Sequence, residues 1–197
     1  MALGRTLLLV LGAVVPHIVS KVYCTISRRA QTVIEIELSR FPNTETGGLL
    51  LGYSEPGGVH VLEATDSGYQ DVIHEIGCFQ YDIAYEEHLC NLISQLYQPP
   101  LQLIGVWHKH NSVHSNNVIL FSRADENMHR QLMKNDNRCI SILFEKSGRA
   151  SASVRYKSSV FLLSASGEHK NITSSTMWGE HLDNEFYFKT YQIMADS

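Results

Sequence analysis

Apolar positions along this chain recur with two spacings, one of about 3.6 residues and one of about 2, which are the signatures of helix and strand faces. After a strand near Lys21 to Thr25, Ser27 is placed to cap a helix running to about Arg40, with Ala30, Val33, Ile34 and Leu38 on one side. Strands are expected at Gly48 to Tyr53 and Val59 to Ala64, parted by the turn signal Glu55-Pro56-Gly57-Gly58. A second long helix from about Ile83 to Tyr97 is stopped by Pro99-Pro100, and an apolar strand from Leu101 to His110 follows. A loop then leads to a helix from Ser122 to about Asn135, whose Ala124, Met128 and Leu132 are spaced by four along one face. Strands near Cys139 to Glu145, Ala152 to Tyr156 and Val160 to Ser164 complete the pattern. This alternation predicts an α/β fold, a sheet with helices packed on it.

Composition narrows the class. A chain of 197 residues with 44% apolar and 18% charged positions has the makeup of one compact globular domain, able to bury roughly 70% of its unfolded surface. The charge of -4 and the lack of any basic patch exclude a protein built to track phosphates, so no nucleic-acid partner is expected. No repeat, low-complexity run or linker marks a second domain. The expected division is an apolar N-terminal segment over 1–20, a globular domain over 21–170 and an aromatic extension over 171–197. That extension carries Trp178, Phe186, Tyr187, Phe188 and Tyr191, enough to fold back on the domain or to meet a partner.

Cys24, Cys78, Cys90 and Cys139 are scattered without a C-x-x-C pair and read as buried apolar fillers of a reducing compartment. The sequon Asn171-Ile172-Thr173 matters only in a secreted protein. Arg5 and the apolar stretch Leu7 to Val15 have the form of a signal peptide, but the stretch is short for a bilayer span. A signal, an upstream start and a buried strand all fit that segment; a cytoplasmic protein without a stable membrane span is the expectation.

The chemistry gathers at the end of the apolar strand. Residues i and i+2 of a strand share a face, so His108 and His110 can point at one ion while Trp107 and Lys109 point away. Asp125, at the mouth of the next helix, would supply a third ligand. Three N/O ligands leave the fourth tetrahedral position of Zn²⁺ open, as in catalytic sites. Each piece has a plainer reading too. A His-x-His pair among ten histidines arises by chance, and Ser122 followed three positions on by Asp125 is a capping box.

A third element lies upstream, where Glu45 precedes Thr46, the pair Gly47-Gly48 and the apolar run Leu49-Leu50-Leu51 before Gly52. Glu45 alone would be a solvated turn carboxylate. Glu45 with its glycines, the strand into Trp107-His108-Lys109-His110, and Ser122-Arg123-Ala124-Asp125 together resemble, in matching order from about Lys21 to about Leu163, the JAMM metallopeptidases of the JAB/MPN domain family. The resemblance implies a single α/β domain of the cytidine-deaminase-like type, a mixed sheet sandwiched by helices. It implies zinc held by His108, His110 and Asp125, with Glu45 as general base and Ser122 steadying the oxyanion. The implied activity is hydrolysis of the bond after the C-terminus of a ubiquitin or ubiquitin-like protein in conjugates or precursors, with E1-like or E2-like enzymes as companions. A non-catalytic scaffold that binds a ubiquitin-like partner, and a zinc hydrolase of another amide, are the alternatives.

The chain departs from the family's motif in three places. Lys109 stands where that motif has Ser or Thr, Asn111 stands where it has Pro, and the eleven residues between His110 and Ser122 amount to an insertion of four. His114 within that loop is either a solvent-facing histidine or an extra ligand. His129, one helical turn after Asp125, either orients that carboxylate or covers the surface.

Overall fold

The computed structural model describes residues 22–111, 121–132, 138–146, 156–164 and 166–180. The N-terminal segment, His114 with residues 112–120, the strand expected before Tyr156, the helix end beyond Leu132 and the tail aromatics from Phe186 onward lie outside them.

The chain forms strand β1 (Tyr23–Ser27), helix α1 (Arg28–Arg40) and an antiparallel pair, β2 (Thr46–Glu55) and β3 (Gly58–Ala64). A small hairpin follows, β4 (Ile73–Glu75) and β5 (Cys78–Gln80), then helix α2 (Ile83–Gln95) and strand β6 (Gln102–His110). Helix α3 (Arg123–Leu132) leads to β7 (Arg138–Lys146), β8 (Tyr156–Ser164), β9 (His169–Asn171) and β10 (Thr176–Glu180). Eight strands make one mixed sheet in the order β10-β1-β3-β2-β6-β7-β8-β9, with β4 and β5 paired apart from it.

Alternation along the strands assigns the two faces. Leu50, Val61, Trp107, Ile140, Ile142, Val160 and Leu162 turn to one face and form the main core with Ala30, Ile34 and Leu38 of α1. Their neighbours Leu51 and Leu62 turn to the other face and meet Tyr97 and Leu101 in a smaller cluster beside α2. Helix α1 starts where expected because the Ser27 hydroxyl accepts the Ala30 N–H at 3.0 Å. The parallel pair β6 and β7 is joined through α3, so the carboxyl end of β6 and the first turn of α3 meet at one edge of the second face. In open α/β sheets this is where ligands bind.

Several expectations need correction. The strand expected from Val160 begins earlier, since β8 runs continuously from Tyr156 to Ser164. The sheet also takes in Thr176–Glu180, which pair in parallel with β1, and Trp178 folds back edge-on to Phe144 at 6.0 Å. Helix α2 ends at Gln95, short of Tyr97, whose ring is buried in the cluster. Cys24 and Cys139 are buried and Cys90 half-buried, but Cys78 is exposed in the hairpin and is no core filler. Among the described residues no helix is long and apolar enough to cross a membrane.

Candidate metal centre

Strand β6 delivers its side chains as its alternation requires. Trp107 and Lys109 turn to the α1 face, where the Trp107 indole N–H donates to the Thr65 carbonyl at 3.0 Å and the Lys109 ammonium donates to the Phe41 carbonyl. His108 and His110 turn to the opposite face. Ahead of α3 the capping box closes in both directions: the Ser122 N–H donates to Asp125 Oδ2 at 2.7 Å, and the Asp125 N–H donates to Ser122 Oγ at 3.2 Å. Capping and ligation are therefore not rivals here. The cap fixes the carboxylate, and because Ser122 Oγ acts in it as an acceptor, the hydroxyl hydrogen remains to be donated elsewhere.

The ligand atoms converge. His108 Nε2 and His110 Nε2 are 2.9 Å apart, and they stand 3.3 Å and 3.7 Å from the two oxygens of Asp125. For an ion held tetrahedrally at about 2.0–2.1 Å, ligand atoms are spaced by roughly 3.3 Å. The three observed separations straddle that value, so the donor set fits a small divalent cation. Burial pushes the His108 imidazole down to about 3, against the pull of the Asp125 charge, which keeps it in the neutral form that binds metal. Burial is the largest influence on His110 and Asp125 and opposes the charged form of each, but it is outweighed by several smaller influences acting together. The mutual attraction of the pair, with Glu45 and Glu145 adding to it, raises His110, and that attraction with His108 and the Ser122 hydrogen bonds holds Asp125 below its ordinary value.

Glu45 reaches the same place through β2. The antiparallel register sets Thr46 opposite Lys109 and Gly47 opposite His108, so the next step places Glu45 opposite His110, on the histidine face. Burial lifts its carboxyl above the ordinary value, while the His110 charge and a hydrogen bond from the Asn111 backbone N–H oppose the rise. Gly47 is required by close packing. A Cβ there would stand 2.8 Å from the Phe79 ring and 2.9 Å from His108 Cβ, inside the floor of the site. All five expected residues, Glu45, His108, His110, Ser122 and Asp125, line one cavity of about 660 Å³, together with Phe79 and Tyr81.

Other residues at the site were not foreseen, or were foreseen differently. Among the described side chains of α3, Asp125 and His129 are buried, whereas Met128 and Leu132 are only partly buried, so the helix turns polar side chains to the sheet. His129 neither covers the surface nor bonds Asp125: its Nε2 meets Ser141 Oγ of β7 at 3.1 Å, and its ring lies edge-on to Phe121 at 5.0 Å. Burial pushes this imidazole down to about 4. Glu145 pairs with His110 across the parallel strands and keeps a buried carboxylate oxygen without a hydrogen-bond partner among the described residues. The only signal for it in the sequence was its place at the end of a strand.

No family model and no curated protein matches this chain. Among solved structures it is similar to protein DSY2949 of Desulfitobacterium hafniense, determined in solution, with a TM-score of 0.53 over 82% of this chain and 96% of that one. At 14% identity the likeness bears on the fold alone.

Proposed function

We propose that the chain is a JAB/MPN domain with JAMM-type zinc isopeptidase activity, acting on the bond that follows the C-terminus of a ubiquitin or ubiquitin-like protein. The observation that carries this reading is the convergence of His108, His110 and Asp125, all within 4.8 Å of one another, in a cavity that also holds Glu45 and Ser122. A zinc ion held there would polarise the scissile carbonyl and make water acidic enough to attack near neutral pH. Glu45 accepts the proton of the attacking water, since burial has raised its affinity for one, and passes it to the departing lysine amine. Ser122, its oxygen already engaged as a helix cap, donates its hydroxyl hydrogen to the carbonyl oxygen as charge develops there.

The test couples metal analysis to cleavage of a panel of ubiquitin-like fusions. About one zinc per chain and release of the tail are expected. Glu45→Gln should keep the metal and lower the rate by about 10² to 10⁴, the range for loss of a general base. A chain that binds a ubiquitin-like protein without cleaving it would be a scaffold. One that cleaves only other amides would be a hydrolase of a different class, and near-normal turnover in Glu45→Gln would move the base elsewhere.

A further inference from the structure

Glu45 stands at the end of an irregular connection, residues 41–45, between α1 and β2. Such a segment lacks ladder partners for its carbonyls, so its position depends on what else satisfies them. Three alternate carbonyls are each met by a side chain from outside the segment. The Lys109 ammonium donates to Phe41 O, the Asn111 carboxamide donates to Asn43 O at 2.7 Å, and His74 Nδ1 lies 2.9 Å from Glu45 O. The Glu45 N–H itself donates to the Glu75 carbonyl at 3.1 Å, and the Asn111 N–H reaches the Glu45 carboxylate. His74 is held in turn, stacked on the Phe41 ring at 3.6 Å with its Nε2 3.2 Å from Ser67 Oγ.

Two of these donors sit at the positions where the chain departs from the motif it resembles. Lys109 lies between the two histidine ligands and points to the opposite face; Asn111 directly follows the second. A proline at 111 would offer neither the N–H nor the carboxamide.

We infer that Lys109 and Asn111, with His74, are positioning residues for Glu45, tying the segment that carries the base to the strand that carries the metal ligands. This rests on the reading of Glu45 as the general base. Lys109 and Asn111 fix the base to the end of β6, which carries the two histidine ligands, and His74 fixes it to the hairpin, so that the carboxylate keeps its place beside His110. Catalytic groups displaced by about 1 Å lose rate on the order of 10²-fold.

The experiment compares Lys109→Met, Asn111→Ala and Asn111→Pro in the full chain. Metal content and KM should stay near wild type while kcat falls about 10- to 100-fold. Asn111→Ala, which keeps the backbone donor, should fall less than Asn111→Pro. In a Glu45→Gln background the same changes should cost little more, because a residue acting through Glu45 has nothing left to position. Amide hydrogen exchange should speed up at residues 44 and 45 in Lys109→Met and in Asn111→Ala, a readout that needs no substrate. Loss of metal in both of these variants, or full additivity with Glu45→Gln, would assign the residues to the ligand strand or to general stability and overturn the inference. If the wild-type chain cleaves nothing, the functional reading falls, and unchanged exchange protection at 44 and 45 would separately overturn the clamp.

Discussion

Helices α1 and α2 are each 13 residues long and lie on opposite faces of the sheet, yet they are held in different ways. Helix α1 buries Ala30, Ile34 and Leu38 against the main core, together with Glu37. Helix α2 buries Glu86 and leaves Ile83 and Leu92 exposed. Each helix therefore carries one buried glutamate, and the two are treated differently. Glu37 accepts from Ser67 and Thr46 through one oxygen and pairs with Arg40 at 2.7 Å through the other. Glu86 accepts from the Thr65 hydroxyl at 2.8 Å on Oε1, while Oε2 is buried with no hydrogen-bond partner among the described residues. One face is closed by interdigitated apolar side chains. The other keeps the cavity of the candidate metal site and a second one of about 420 Å³ between α2 and the sheet. The apolar core and the candidate metal site thus lie on separate sides of one sheet, and substitutions should separate accordingly.

The largest contrast should come from Ile34→Ala set against His108→Ala. Ile34 is 1% exposed in the closed core, and truncation should cost about 2–5 kcal/mol while metal content, measured below the unfolding transition, stays near one per chain. His108→Ala should do the reverse, removing metal and activity. In metal-free samples its denaturation midpoint should lie close to that of wild type. A matching loss of stability in both variants would show that the faces are coupled after all. Glu37→Gln comes next, at about 1–3 kcal/mol, from weakening charged hydrogen bonds inside the closed face. Denaturant curves read against metal content would show whether that loss reaches the site.

What could be read in advance follows the length of each pattern. The nine residues of β6 allow an alternation to show, and the 13 of α1 show a clear apolar side, so both were legible, as was the capping box that fixes Asp125. Strands β4 and β5 have three residues each, too few for any period, and β10 is placed by its parallel pairing with β1 rather than by its own pattern. The convergence of His108, His110 and Asp125 was legible because β6 and α3, which carry them, have strong local signals, whereas Glu45 was singled out only through the resemblance. Their supports were not legible. The burial of Lys109 and the bond of His129 to Ser141 depend on partners distant in sequence, and a lysine is by type an exposed residue. Helix α2 shows the limit from the other side. Its apolar residues foretold a helix, but not that its buried anchor would be a carboxyl.

The smallest effect expected is a slope. Burial pushes the Glu86 carboxyl up to about 8, with the Thr65 hydroxyl pulling against the rise and Asp66, Asp82 and Glu37 adding to it. Its ordinary value is 4.5. Between those limits the folded chain holds a proton on Glu86 that the unfolded chain has released. Stability from this group is therefore fully present below about pH 4.5 and is lost as pH rises toward 8, by roughly 1 kcal/mol per pH unit. Glu86→Gln removes the titration while its amide oxygen can still accept from Thr65, so the variant should match wild type near pH 5 and exceed it increasingly toward pH 8. Denaturant unfolding at several pH values tests this, and taking the difference between the two proteins cancels the pH dependence that both share. Parallel stability curves would mean that Glu86 finds a partner for its charge, and that the two buried glutamates are more alike than their hydrogen bonds indicate.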